Sequence, residues 1–166
     1  AAVGNDPARE PVLDEALSCW SSLVYYQKTY GEERAKAVLD DQVKGVYRLY
    51  RTFGGDDMHA NRPSRDYRNT FQYAAIVTAK GALMFVELQR ALGDDKVFAA
   101  LRNYYKANIY EIAQLEDLRS ALVAVLLVYL VREADASPGA IGLAFAVGNV
   151  GFLAAVLIVP ATTRRF

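Results

Sequence analysis

The sequence predicts an all-α protein, in which a helical bundle is followed by one long apolar helix. Two observations carry this prediction. Apolar residues recur every three to four positions in several segments, and glycine or proline separates those segments. In addition, no segment shows the alternation of polar and apolar residues that is typical of a half-buried strand.

The pattern predicts five helices before the apolar tail. The first begins near Pro11, a residue suited to the first helical turn, and ends at Gly31. The following elements are predicted in order: a second helix over 32–50, a polar loop over 54–69, a third helix over 70–92 closed by Gly93, a fourth capped by Asp94, and a fifth that starts at Gln114 or Leu115.

The composition limits the classes of function. The 166 residues carry 19 Lys and Arg against 19 Asp and Glu, so the net charge gives no reason to expect a nucleic-acid partner. The single cysteine, Cys19, excludes an internal disulfide and is expected to be a small buried residue. The single histidine, His59, is expected in a solvated loop, and one imidazole weakens any self-contained zinc or triad chemistry.

Charge is distributed unevenly, which predicts two domains, 1–120 and 121–166. Residues 140–161 form a stretch of 22 residues without a charge, long enough at roughly 1.5 Å per residue to cross a hydrocarbon core of about 30 Å. This stretch also contains glycines, which transmembrane helices tolerate better than soluble ones. A membrane-associated protein is therefore expected; the alternative is a buried helix in a soluble bundle.

The adjacent acids Asp14 and Glu15 follow the predicted start of the first helix. Two carboxylates in this position stabilise the positive end of the helix dipole, a contribution of a few tenths of a kcal/mol. The alternative is that one of them is a metal ligand whose companions lie elsewhere in the chain.

Two segments resemble the gluzincin zinc aminopeptidases of the membrane alanyl aminopeptidase family. They are NDPAREPVLDEALSCWSSLVYYQKTYGEE, from Asn5, and YAAIVTAKGALMFVELQRALGDDKVFAALRNYYKANIYEIAQLEDL, from Tyr73. Order and spacing match over roughly residues 3–120. The resemblance implies the C-terminal helical subdomain of a thermolysin-like zinc peptidase, which closes one side of the active cleft.

The resemblance also implies that Glu15 is the third zinc ligand, after two histidines of a His-Glu-x-x-His helix that precedes it in the family. That helix, its general-base glutamate and the substrate-binding Gly-x-Met-x-Asn segment are not in this sequence, and His59 has the wrong spacing to replace a ligand. Zinc is therefore expected only if the missing histidines are supplied upstream.

The sequence departs from the family pattern at the catalytic tyrosine as well. The family places this residue two positions before the Lys-Gly of KGAL, where its phenol stabilises the oxyanion; here Thr78 stands in that position. Tyr73 is a weak alternative donor, because five helical positions turn it about 140° from Thr78 onto another face, where packing is expected. Val12, where a tryptophan is common, is a milder departure.

The tail resembles a second family. LLVYLVREADASPGAIGLAFAVGNVGFLAAVLIVPATTRRF, from Leu126, is similar to the first loop and second helix of a major facilitator superfamily transporter. The apolar run from Ala121 to Val131 is too short for the first membrane helix of such a protein. The chain is thus expected to hold no transport path of its own.

The leading functional prediction is a partial zinc metallo-aminopeptidase-like domain that is inactive as this chain and hydrolyses peptides as part of a larger protein. The alternative is a non-catalytic helical protein that associates with a membrane through 140–161, with a helical partner or with itself. A truncated, chimeric or designed bundle is a third possibility.

Overall fold

The computed structural model describes residues 2–133 and is mainly helical, which confirms the predicted all-α class. Five helices lie in this range. Helix α1 is Pro11–Tyr30; α2 runs through Glu32–Val38, a π-helical stretch Leu39–Lys44 and Gly45–Thr52; α3 runs through Thr70–Tyr73, a π-helical stretch Ala74–Lys80 and Gly81–Leu92; α4 is Asp94–Ala107; and α5 is Leu115–Glu133.

Glycines end two of the helices, as predicted. Gly31 follows α1 with a φ of 85°, and Gly93 follows α3 with a φ of 84°, in a region that favours glycine. The predicted cap Asp94 is wrong: it is the first residue of α4, and its side chain makes no capping bond. Its Oδ1 instead accepts a hydrogen bond of 2.8 Å from Gln89 Nε2, so it links the ends of α3 and α4.

A short sheet joins the N-terminal segment to the connection between α4 and α5. Strand β1, Gly4–Asn5, pairs in parallel with strand β2, Ile112–Ala113, with Gly4 opposite Ile112. The sequence did not predict these strands, because two residues are too few to show an alternating pattern.

The core of the helical unit lies where α1 packs against α3 and α4. Trp20 of α1 is 2% exposed, and its ring centroid lies 5.8 Å from Phe85 of α3 and 5.9 Å from Phe98 of α4. Its indole Nε1 donates a hydrogen bond of 2.9 Å to Gln89 Oε1, which satisfies the one polar atom of the buried ring.

Gly81 sets how closely α1 and α3 approach. A Cβ at this position would lie 2.6 Å from the Cβ of Ala16, whose own side chain is completely buried. Because only glycine fits here, α3 can bring the residues just before Gly81 to the surface of α1.

The chain divides into two compact units, Ala1–Val123 and Ala124–Phe166. The predicted apolar segment 140–161, the break at 137–139 and the transporter-like tail beyond residue 133 all lie outside the described residues. Among the residues that are described, one helix, Thr70–Leu92, is long and apolar enough to cross a membrane. A core helix of a soluble protein meets the same criterion, and this helix contributes core residues: Ala75, Ile76, Val77, Ala79, Ala82 and Phe85.

Candidate functional site

The structure brings together the three residues that the sequence singled out, Glu15, Tyr73 and Thr78. Thr78 Oγ1 donates a hydrogen bond of 3.1 Å to Glu15 Oε2, and Tyr73 Oη lies 3.5 Å from Glu15 Oε1, at the limit of a hydrogen bond. Glu15 is partly buried. Its carboxylate lies at the contact between α1 and α3, where a hydroxyl group of α3 lies near each of its two oxygens.

The expectation that Tyr73 and Thr78 lie on different faces is wrong. The stretch Ala74–Lys80 between them is π-helical, with hydrogen bonds between residues five apart, whereas the expectation assumed an α-helix. Residues at positions i and i+5 of a π-helix lie about one turn apart. Tyr73 and Thr78 therefore reach the same carboxylate.

Tyr73 is held by an aromatic neighbour from the polar loop. The ring centroid of Tyr67 lies 5.4 Å from that of Tyr73, with the planes at 87°, and Tyr67 Oη donates a hydrogen bond of 2.9 Å to the carbonyl of Ala60. The sequence did not indicate this role for Tyr67. An aromatic residue in an otherwise polar loop was the signal available for it.

The loop over residues 54–69 is fixed at both sides of the site. Lys80 Nζ donates hydrogen bonds of 2.5 Å to Asp57 Oδ1 and 2.7 Å to the carbonyl of Met58. On the other side, Ser64 Oγ donates a hydrogen bond of 2.5 Å to the carbonyl of Pro7. These contacts hold Tyr67 beside Tyr73.

The electrostatics keep both nearby weak acids protonated. Burial, followed by the charge of Glu15, raises the pKa of the Tyr73 phenol above its ordinary value. Burial, again followed by the charge of Glu15, raises the pKa of the Cys19 thiol. Tyr73 is therefore a hydrogen-bond donor at neutral pH, and Cys19 is a poor nucleophile because its thiolate is disfavoured.

A catalytic zinc site needs three protein ligands, and the described residues supply one at this place. His59 is exposed in the loop, and no group of three His, Cys, Asp or Glu side chains within residues 2–133 is placed to hold a metal. The described residues therefore supply one ligand of a catalytic zinc site and not the complete set of three. The arrangement seen here is a carboxylate oriented by two hydroxyl groups.

Comparison of this chain with protein-family models, with curated proteins and with solved structures finds no match.

Proposed function

We propose that residues 3–120 are the helical part of a zinc aminopeptidase-like catalytic domain, in which Glu15 is one of three metal ligands. In this proposal the two histidines come from a preceding helix of a larger protein, and that protein removes N-terminal residues from peptides. The observation that carries the proposal is the pair of hydroxyl contacts to Glu15, one from Thr78 and one from Tyr73.

Hydrogen bonds from neighbouring side chains are what a ligand carboxylate needs in order to be pre-oriented. A carboxylate has about four lone-pair positions, so donors on its two oxygens leave acceptor capacity for a metal. Here the two donors belong to one helix, and that helix is packed closely on α1 through Gly81. The orientation of Glu15 is therefore supported by the backbone of the bundle.

Thr78 and Tyr73 would have different roles. Thr78 has a short hydroxyl group that is already engaged with Glu15 Oε2, which favours a positioning role for it. Tyr73 has a longer side chain, a protonated phenol and a weaker contact of 3.5 Å, so its single proton can turn from Glu15 to a bound substrate while Thr78 keeps its hydrogen bond to Glu15.

The dipole explanation of the acidic pair accounts for Asp14 better than for Glu15. Asp14 is exposed in the first turn of α1, where a negative charge is stabilising. Glu15 is turned toward another helix and accepts hydrogen bonds from it, which a dipole partner does not require.

The test uses a longer chain that carries a His-Glu-x-x-His helix ahead of residue 1, assayed for release of p-nitroaniline from leucine p-nitroanilide. We expect turnover from the longer chain, a loss of at least about 100-fold in Tyr73→Phe, as for removal of an oxyanion donor, and a smaller loss in Thr78→Val. Turnover that is unchanged in Glu15→Ala would contradict the proposal.

A second candidate, a non-catalytic interaction protein, is favoured by an exposed aromatic cluster at the end of α1. Tyr25 and Tyr30 are 57% and 59% exposed, and the ring centroids of Tyr25, Tyr26 and Tyr30 lie 5.6 to 6.1 Å apart. Aromatic residues are enriched at protein interfaces. Light scattering on the chain distinguishes self-association, which Tyr25→Ser with Tyr30→Ser should abolish, from a monomer.

A further inference from the structure

Lys80 connects helix α3 to the polar loop over residues 54–69. Its ammonium group donates hydrogen bonds of 2.5 Å to Asp57 Oδ1 and 2.7 Å to the carbonyl of Met58. The side chain of Lys80 is 33% exposed and that of Asp57 is 48% exposed, so both charges are partly shielded from water. A charge-assisted hydrogen bond, together with a second bond to the backbone, restrains the loop more than an exposed ion pair does.

The carboxylate of Asp57 also has a donor in helix α2. Hydrogen bonds from Lys80 and then from Tyr47 lower the pKa of the Asp57 carboxyl below its ordinary value. The carboxyl is therefore ionised at neutral pH. Because Tyr47 lies in α2 and Lys80 in α3, Asp57 fastens the beginning of the loop to both helices.

The contacts of the loop form a closed circuit that begins and ends on α3. Lys80 binds the start of the loop segment 57–60, and the carbonyl of Ala60 at its end accepts a hydrogen bond of 2.9 Å from Tyr67 Oη. Tyr67 in turn packs edge-to-face on Tyr73, with the ring centroids 5.4 Å apart. Each contact therefore restrains the others, which makes the position of the Tyr73 phenol depend on Lys80.

The contact between Tyr73 and Glu15 is too weak to fix the phenol by itself. It measures 3.5 Å, at the limit of a hydrogen bond, whereas Thr78 lies 3.1 Å from the same carboxylate. The packing of Tyr67 supplies the restraint that this contact lacks.

We propose that Lys80 is a positioning residue for the Tyr73 phenol and acts through the loop and Tyr67. This role rests on the proposed function, in which Tyr73 donates to the substrate. Such a donor is effective only where the oxyanion forms, and a displacement of about 1 Å can reduce the rate about 100-fold. Removal of Lys80 should therefore lower kcat and leave KM nearly unchanged, because the phenol acts in the transition state.

The first test uses NMR of the chain itself and measures nuclear Overhauser cross-peaks between the ring protons of Tyr67 and Tyr73. Lys80→Met keeps the aliphatic part of the side chain and removes every donor, so we expect these cross-peaks to be lost. The matched control is Lys36→Met, which also breaks an ion pair, with Asp40 on α2, and should retain them.

A second pair of variants applies if circular dichroism shows that Lys80→Met is unfolded. Asp57→Ala removes the carboxylate partner of Lys80, and the cross-peaks should weaken. Asp56→Ala removes the neighbouring carboxylate, which is more exposed and lies 3.5 Å from Arg68, and the cross-peaks should be retained.

The second test measures kcat and KM for leucine p-nitroanilide in the longer chain that carries a His-Glu-x-x-His helix. Lys80→Met should lower kcat about tenfold, less than Tyr73→Phe does, and change KM by less than about twofold. Retention of the cross-peaks in folded Lys80→Met, their equal loss in Lys36→Met, or an unchanged kcat would overturn the proposal. If the longer chain has no activity, the proposed function is wrong, and the cross-peaks alone decide whether Lys80 positions Tyr73.

Discussion

The hydroxyl group of Thr78 donates a hydrogen bond of 3.1 Å to Oε2 of Glu15, a residue 63 positions earlier in the chain. Two features of helix α3 produce this contact. Gly81 allows α3 to lie against Ala16 of α1, and the π-helical stretch Ala74–Lys80 turns both Thr78 and Tyr73 toward the same carboxylate. The contact is thus a property of the packing of α1 on α3.

Replacement of Thr78 by valine removes the hydroxyl group with little change of volume. Because Glu15 Oε2 then loses its donor in a partly buried position, we expect Thr78→Val to lower the free energy of unfolding by about 1 to 2 kcal/mol. Urea denaturation measures this difference. Thr29→Val, at an exposed position near the end of α1, is the control and should change it by less than about 0.5 kcal/mol.

Neutralisation of Glu15 should lower the pKa of Tyr73. A nearby negative charge disfavours the phenolate, so Glu15→Gln removes one of the two main causes of the raised pKa while burial, the larger cause, remains. Carbon-13 NMR of tyrosine Cζ, with Tyr73→Phe to assign the signal, follows the titration. An unchanged Tyr73 pKa in Glu15→Gln would show that the two side chains are not in contact in solution.

Substitution at Gly81 tests the close approach of α1 and α3. A Cβ at this position would lie 2.6 Å from Ala16 Cβ, so Gly81→Ala should lower the free energy of unfolding by about 1 to 3 kcal/mol, as overpacking does. Thermal unfolding gives the difference.

The matched control is Gly45→Ala in α2. Gly45 has helical dihedral angles, and its nearest neighbour would be the carbonyl of Asp40 at 3.4 Å, an ordinary contact. Alanine should therefore raise the free energy of unfolding at this position, by about 0.5 to 1 kcal/mol. Stabilisation by both substitutions would contradict the packing described here.

The free energy of unfolding should decrease at high pH because the pKa of Tyr104 is raised in the folded state. Burial, followed by the charges of Asp117 and Asp14, raises the pKa of Tyr104 to about 12. The folded state therefore resists loss of this proton, whereas the unfolded chain loses it near pH 10. The contribution to stability is fully present below about pH 10 and decreases as the pH rises toward about 12. A difference titration at 295 nm between the unmodified chain and Tyr104→Phe measures the pKa of Tyr104. Urea denaturation at several pH values measures how the free energy of unfolding changes with pH.

Helices α1 and α3 could be predicted because local signals mark their ends. Pro11 begins α1, Gly31 and Gly93 end α1 and α3, and apolar periodicity fills the segments between them. The short strand pair depended on tertiary structure instead. Gly4 pairs with Ile112, more than 100 positions later, and each strand has two residues. A local sequence pattern cannot indicate strands this short or a pairing this distant.

The candidate site was predictable in its residues and not in its geometry. Glu15, Tyr73 and Thr78 could be singled out from the sequence, yet Tyr73 was expected on another face of the helix. The π-helical stretch that corrects this expectation has no local signature, since AAIVTAK is equally compatible with an α-helix. Tyr67 was missed because its importance follows from the ring contact that it makes with Tyr73, and no local sequence pattern shows this contact.

The central claim, that Glu15 is a metal ligand, is tested most directly by the zinc content of a longer chain that carries a His-Glu-x-x-His helix ahead of residue 1. Inductively coupled plasma mass spectrometry after dialysis should find about one zinc per chain, the same in Asp14→Ala, and a large loss in Glu15→Ala. If Glu15→Ala retains zinc as well as the longer chain does, or if the longer chain binds none, Glu15 is not a ligand and the peptidase proposal is wrong.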